Sequence, residues 1–138
     1  MADTYTLARA VIDLLKAVAP DDVTVCDSEP EHTPAGRYVV VTDTAGHATP
    51  DRIAAVGGSR DMRWVLTCKS VAHAPDGVRR LSGWLRATLT DHWPTPGPST
   101  SPLQEIGASP LLAGGPLGDR RHSQTLIWAT YTDPLQED

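Results

Sequence analysis

The chain has 138 residues, 40% hydrophobic and 21% charged, with a formal net charge of -5. A length of this order is one domain, burying roughly two-thirds of its unfolded surface, and acids and bases mixed along both halves advertise no basic face for nucleic acid or anionic membrane. No apolar run nears the ~20 residues of a bilayer span, and the N-terminus lacks the basic-then-apolar layout of a secretory signal.

In chain order, Asp3 or Thr4 can cap a predicted helix running to about Val18. Its stripe is Leu7, Val11, Leu14, Leu15 and Val18, with Ala8 and Ile12 at the edges and Arg9, Asp13 and Lys16 toward water. Pro20 ends the helix, because a proline pushes the residue before it out of the helical region. Val23 to Asp27 is a short predicted strand, Ser28 to Gly36 a polar turn, and Arg37 to Thr44 a β-branched run suited to a buried strand. Ala45 to Arg60 reads as a long loop ending in Gly57-Gly58-Ser59-Arg60.

The central stretch, Asp61 to Trp93, alternates Met62, Trp64, Leu66 and Cys68 against Arg63, Val65, Thr67 and Lys69, the pattern of a strand with one largely apolar face. Pro75 then opens a helix, with Asp76 favourably placed against its dipole. Val78, Leu81, Leu85 and Leu89 form its stripe, Trp84 and Thr88 flank it, and Arg79, Arg80, Ser82, Arg86 and Thr90 are expected outside. Prolines at 94, 96, 98 and 102 exclude helix and interior strand, and Leu103 to Ile106 is expected to pair only briefly at a sheet edge. Gly107 to Arg121 reads as a second glycine-rich loop, and Ser123 to Thr132 as the closing strand. That strand is partly apolar on both faces, which places it inside the sheet with helices on one side and a partner on the other. Pro134 to Asp138 is an acidic tail expected to fray. The order predicts a single α+β domain, 1–138, with a mostly antiparallel mixed sheet of four to five strands and two helices packed on one face.

Catalytic patterns fail one by one. Gly57-Gly58-Ser59-Arg60-Asp61 follows a nucleophile elbow for three positions, then has Asp where the tight turn needs Gly. Gly114-Gly115-Pro116-Leu117-Gly118 lacks the Lys-Ser/Thr pair of a phosphate loop. His32, His47, His73, His92 and His122 fall in turns or element ends, none at metal-ligand spacing from another His or Cys. Cys26 and Cys68, both in predicted strands, read as buried free thiols of a cytosol-made protein. Arg79-Arg80 is expected to pair with Asp76 on the helix surface, whereas Arg120-Arg121 in a loop is a solvated turn or an interface anchor. No catalytic residue, cofactor or metal is expected. What a solitary globule leaves unexplained is the loop content, 45–60 and 94–121, and a last strand apolar on both faces with only two helices to cover it.

The layout resembles the tail terminator proteins of long-tailed, siphovirus-type bacteriophages, and especially small tail-completion proteins of actinobacterial phages and prophages. The likeness runs from about Leu7 to Thr132: a leading helix ending at Pro20, the strand GRYVVVTDTAG, the loop through Pro50-Asp51-Arg52 and Gly57-Gly58, the strand MRWVLTCKS, the helix DGVRRLSGWLRATL, a Pro/Gly segment, and the closing strand IWATYT. The resemblance implies a structural virion protein without an active site. It implies a ring homo-oligomer, typically a hexamer, that caps the tail tube at its head-proximal end. Its partners would be its own copies, the major tail tube protein and the head-tail connector or stopper protein, and DNA would cross the lumen without specific binding. Assembly would take place in the bacterial cytoplasm, with no membrane involved. Mapped onto this chain, loops 45–60 and 94–121 become ring and tube contacts, with Asp51, Arg52, Arg60, Arg120 and Arg121 as the charged groups that set register between subunits.

Three other readings stay open. One is a different neck, tail-completion or connector component, from a prophage or a gene-transfer particle. Another is a small-ligand-binding domain or an enzyme with an unrecognised site, which predicts a stable monomer or dimer with a formed pocket. A nucleic-acid-binding module is the last, disfavoured by the acidic balance and the absence of an aromatic-plus-basic face.

Overall fold

The computed structural model describes residues 4–48, 62–94, 101–114 and 121–132. Helix α1 (Thr4–Val18) is followed by strands β1 (Val23–Asp27), β2 (Arg37–Ala48) and β3 (Met62–Ala72). Helix α2 (Pro75–Leu89) precedes β4 (Gln104–Ala108), β5 (Leu112–Gly114) and β6 (Arg121–Thr132). The strands form one six-stranded sheet in the order β1-β2-β3-β6-β4, with β5 also pairing β6. β1 lies parallel to β2, and every other pairing is antiparallel. This is the α+β fold the element order predicts, with one or two more strands than expected.

β4 is the edge strand expected at Leu103 to Ile106, shifted to Gln104–Ala108, and the further strand content comes from segments the sequence presents as loop. β2 continues through Ala45 to Ala48, past an irregularity between Thr44 and His47, and 107–121 contributes the end of β4, β5 and the first residue of β6. Both places carry glycine, which weakens a strand on propensity alone. The pairing is supplied instead by long neighbours: β6 spans 12 residues and offers one edge to β4 and β5 in succession. Leu103, read as the start of an edge strand, is fully buried in the core instead.

Both helices cover the same face. Leu7, Val11, Ile12 and Leu15 of α1, and Leu81, Leu85 and Leu89 of α2, join Val39, Val41, Trp64, Leu66, Cys68, Leu126 and Trp128 in one cluster. The register explains the layering, since Val41, Cys68 and Leu126 lie side by side across three strands, as do Leu66 and Trp128 in the next row. Each fully buried Leu or Val contributes about 1.5–3 kcal/mol relative to exposure, and these rows hold the fold together.

The helical stripes shift slightly from the expected ones. Ile12, expected at an edge, is 2% exposed, whereas Val18, the last residue of α1, is 48% exposed. Ser82, expected outside, is buried because it follows Val78 by one turn, and its hydroxyl donates to Gln124 Oε1 at 2.8 Å. α2 opens on Pro75 with Asp76 in its first turn, and Asp76 accepts from Arg79 at 2.8 Å. After α2, Asp91 takes a left-handed conformation (φ 63°), which Asp tolerates better than most residues. There the chain turns back so that Asp91 N–H donates to Leu103 C=O and Leu103 N–H to His92 C=O, each at 2.8 Å. Gln104 Nε2 donates to the Asp91 carboxylate, and Arg86 grips Glu105 through two hydrogen bonds, tying α2 to β4.

Candidate functional site

Among the described residues, no helix packs on the opposite face of the sheet. Strand alternation puts Tyr38, Val40, Thr42 and Thr44 of β2 there, with Arg63, Val65, Thr67, Lys69 and Val71 of β3. β6 adds Arg121, Ser123, Thr125, Ile127 and Ala129. The helix-covered side chains of β3 are buried, while Arg63, Val65, Thr67 and Lys69 are half-exposed, as are Thr125 and Ile127 of β6. The exceptions on the open face are Val40 and Val71, each 4% exposed, and Ala129 at 3%.

The crossover between the parallel strands β1 and β2 returns on this side of the sheet. Ser28 (φ 70°) turns the chain out of β1, its N–H donating to Val41 C=O at 2.9 Å. Pro34 C=O then accepts from Arg121 Nη1 at 2.8 Å, and Ala35 C=O lies 3.2 Å from His73 Nε2. The Arg121 guanidinium stacks over the Tyr38 ring, 5.7 Å from its centroid, a cation–π arrangement. Between this crossover and β6 lies an open depression of ≈ 270 Å³, lined by Thr33, Tyr38, Lys69, Val71, Gly114, Arg121 and Ser123. Its polar groups are two cations and three hydroxyls, with no carboxylate. That set can receive an anion; it contains neither a base nor an activated nucleophile for a reaction.

The β4–β5 side carries exposed apolar groups: Ile106 is 48% and Leu112 53% exposed. The β1 side is acidic, with exposed Asp21, Asp22 and Asp27 followed by Glu29 and Glu31. Asp22 is engaged by Arg37 through two hydrogen bonds of 2.8 and 2.7 Å, which hold its carboxyl below the usual range.

Of the charged residues expected at interfaces, Asp51, Arg52, Arg60 and Arg120 lie outside the described residues. Arg121 is described, and it opens β6 rather than sitting in a loop, anchored to Pro34 and Tyr38. Lys69 and Arg63 escaped the sequence reading because they fall on the polar side of a strand, where a solvated face is the ordinary outcome. The alternation itself was the available signal, since it places them on the face the helices leave open. Both cysteines are free, Cys68 buried and Cys26 only half-buried, so the expected pair of buried thiols is reduced to one. Among the described residues no cluster of His, Cys, Asp or Glu is arranged to hold a metal ion, and no helix is long and apolar enough to cross a membrane.

The fold thus defines a class of small α+β domain: one mixed sheet with two helices on one face and, among the described residues, no helix on the other. A chain in a solved structure described as the virion of a native gene transfer agent particle shares this fold, with a TM-score of 0.58 at 13% sequence identity. The match covers 96% of this chain and 92% of that one. No protein-family model matches the sequence, and no curated protein does.

Proposed function

We propose that this chain is a structural virion subunit that caps the tail tube of a tailed-phage-like particle as a ring of identical copies, ending tube polymerisation and forming the tail side of the head–tail joint. The observation that carries the reading is the near full-length fold match to a chain of a gene transfer agent virion. The open sheet face and the exposed Ile106 and Leu112 agree with it, because a subunit completed by neighbours leaves such surfaces uncovered in isolation. The ring is hexameric in this reading, its neighbours are the major tail tube protein and a connector or stopper protein, and DNA crosses the lumen without specific contacts. It performs no catalysis.

Negative-stain electron microscopy and sedimentation over a concentration series test this directly. Closed rings that grow in with concentration, and that bind the ends of tail tubes, are the expected outcome; a particle that stays monomeric at every concentration, alone and with tube protein, refutes it. A second reading rests on the same fold match, which concerns a whole virion rather than its tail end: another neck or tail-completion component. Rings that bind a connector but ignore tube ends would favour that reading.

A further inference from the structure

We infer that the depression between Lys69 and Arg121 on the open sheet face is a carboxylate-binding socket, occupied by an acidic side chain from the β1 side of a second copy of this chain. The inference rests on the ring reading and adds to it which surfaces meet.

The socket is built for an anion. Arg121 is held against the depression by Pro34 C=O and the Tyr38 ring, which fix the place of its guanidinium. Lys69 projects from β3 into the same depression, and no hydrogen bond or ion pair engages it among the described residues. Ser123 and Thr33 line the depression as well, and their hydroxyls can donate to an oxyanion. The described open-face positions of β2, β3 and β6 hold Arg63, Lys69 and Arg121 and not one Asp or Glu. This is a cationic surface on a chain of net charge -5.

The complementary surface lies on the same molecule. Asp21 before β1, and Glu29 and Glu31 after it, are exposed, and among the described residues none of them meets a cation. Arg37 is committed to Asp22, and Arg9 to Asp13 and Asp27. Two unlike patches of opposite sign on one subunit are what a head-to-tail ring requires, since each copy presents one patch to each neighbour. Charge complementarity of this kind sets partner choice and register more than raw affinity. It also predicts that association weakens as salt rises.

Sedimentation of the full chain and its charge variants tests the pairing. Lys69→Glu is expected to weaken self-association by at least about tenfold, Lys69→Gln by less, and the triple variant Asp21→Lys, Glu29→Lys, Glu31→Lys by an amount similar to Lys69→Glu. An equimolar mixture of Lys69→Glu with the triple variant is expected to recover mixed assemblies that neither forms alone. Melting temperatures matching the wild type confirm that each variant folds. Wild-type-like assembly of Lys69→Glu, or a folded mixture that recovers nothing, overturns the socket while leaving the ring reading intact. Loss of retention on a DNA duplex by Lys69→Glu, with self-association unchanged, assigns the cations to phosphate and also overturns it. A wild type that never associates removes the ring reading itself.

Discussion

At the residue scale, burial decides chemical behaviour that composition leaves open. Cys68 lies fully buried in the row Val41–Cys68–Leu126, and loss of solvent pushes its thiol up to about 12. Thiolate is the reactive form, so at pH 8 only roughly one Cys68 in ten thousand is poised to react. Cys26 is half-buried, and its thiol is raised mainly by desolvation and secondarily by Glu29. A thiol reagent is therefore expected to label Cys26 in the native protein and Cys68 only on unfolding; peptide mapping of labelled protein distinguishes the two, and equal native rates would contradict the packing. Asp22 provides a pH test. Its folded carboxyl is depressed below the ordinary 3.8, first by the Arg37 hydrogen bonds. The stability it contributes is present above the unfolded value and lost as pH falls through the folded one. Asp22→Asn should thus melt below the wild type at pH 7, by a small margin for so exposed a pair, and the two should converge as pH falls below 3.8 and through the depressed folded value.

At the scale of elements, two glycines of α2 report opposite constraints. Gly83 faces open space, with nothing within 4 Å of an added Cβ, whereas a Cβ at Gly77 would sit 2.9 Å from the Ala72 Cβ of β3. Helix propensity favours alanine at both positions by about 1 kcal/mol. Gly83→Ala is expected to realise that gain as a higher urea midpoint. Gly77→Ala is expected to lower the midpoint, because the first turn of α2 must lift away from the end of β3. Equal shifts in the two variants would rule out the close approach. In the second layer, Ser82 ties the middle of α2 to Gln124, whose amide in turn donates to Ser109 C=O at 3.0 Å. Ser82→Ala should cost about 0.5–1.5 kcal/mol, the net worth of the hydrogen bond it removes from the half-buried Gln124 amide. Leu85→Ala should cost about 2–5 kcal/mol, as it opens a cavity where the helix meets the sheet.

At the scale of the whole molecule, the asymmetry of the sheet is the central fact. One face carries both helices and the two buried tryptophans, Trp64 and Trp128; the other carries threonines, valines and three cations. Trp64 passes its indole N–H to Asp43 at 3.0 Å, while the buried Trp128 indole N–H has no acceptor among the described residues. If copies associate through the open face, light scattering should show assembly mass falling between low and high salt while the melting temperature of the isolated subunit changes little. Mass insensitive to salt would mean that the contact is apolar, with Ile106 and Leu112 as its centre.

Local pattern was enough for the elements whose residues agree among themselves: both helices to within a residue or so, β1 with the bounds expected, β3 and β6 by alternation, and the α+β class. Propensity and periodicity are local, and in those segments they point the same way as the packing. It also placed Lys69 and Arg63 on the outer side of β3, without saying what lay beyond them. The remainder depends on how the strands are ordered in space. The run Ala45 to Ala48 and β5 are strands, and β4 extends past its expected end at Ile106, because a neighbouring edge offers them hydrogen bonds, a partner no local pattern names. Arg121 meets Pro34 across 87 positions of chain, and Lys69 shares a depression with Arg121 for the same reason: charges distant in sequence become neighbours only once strand order is set.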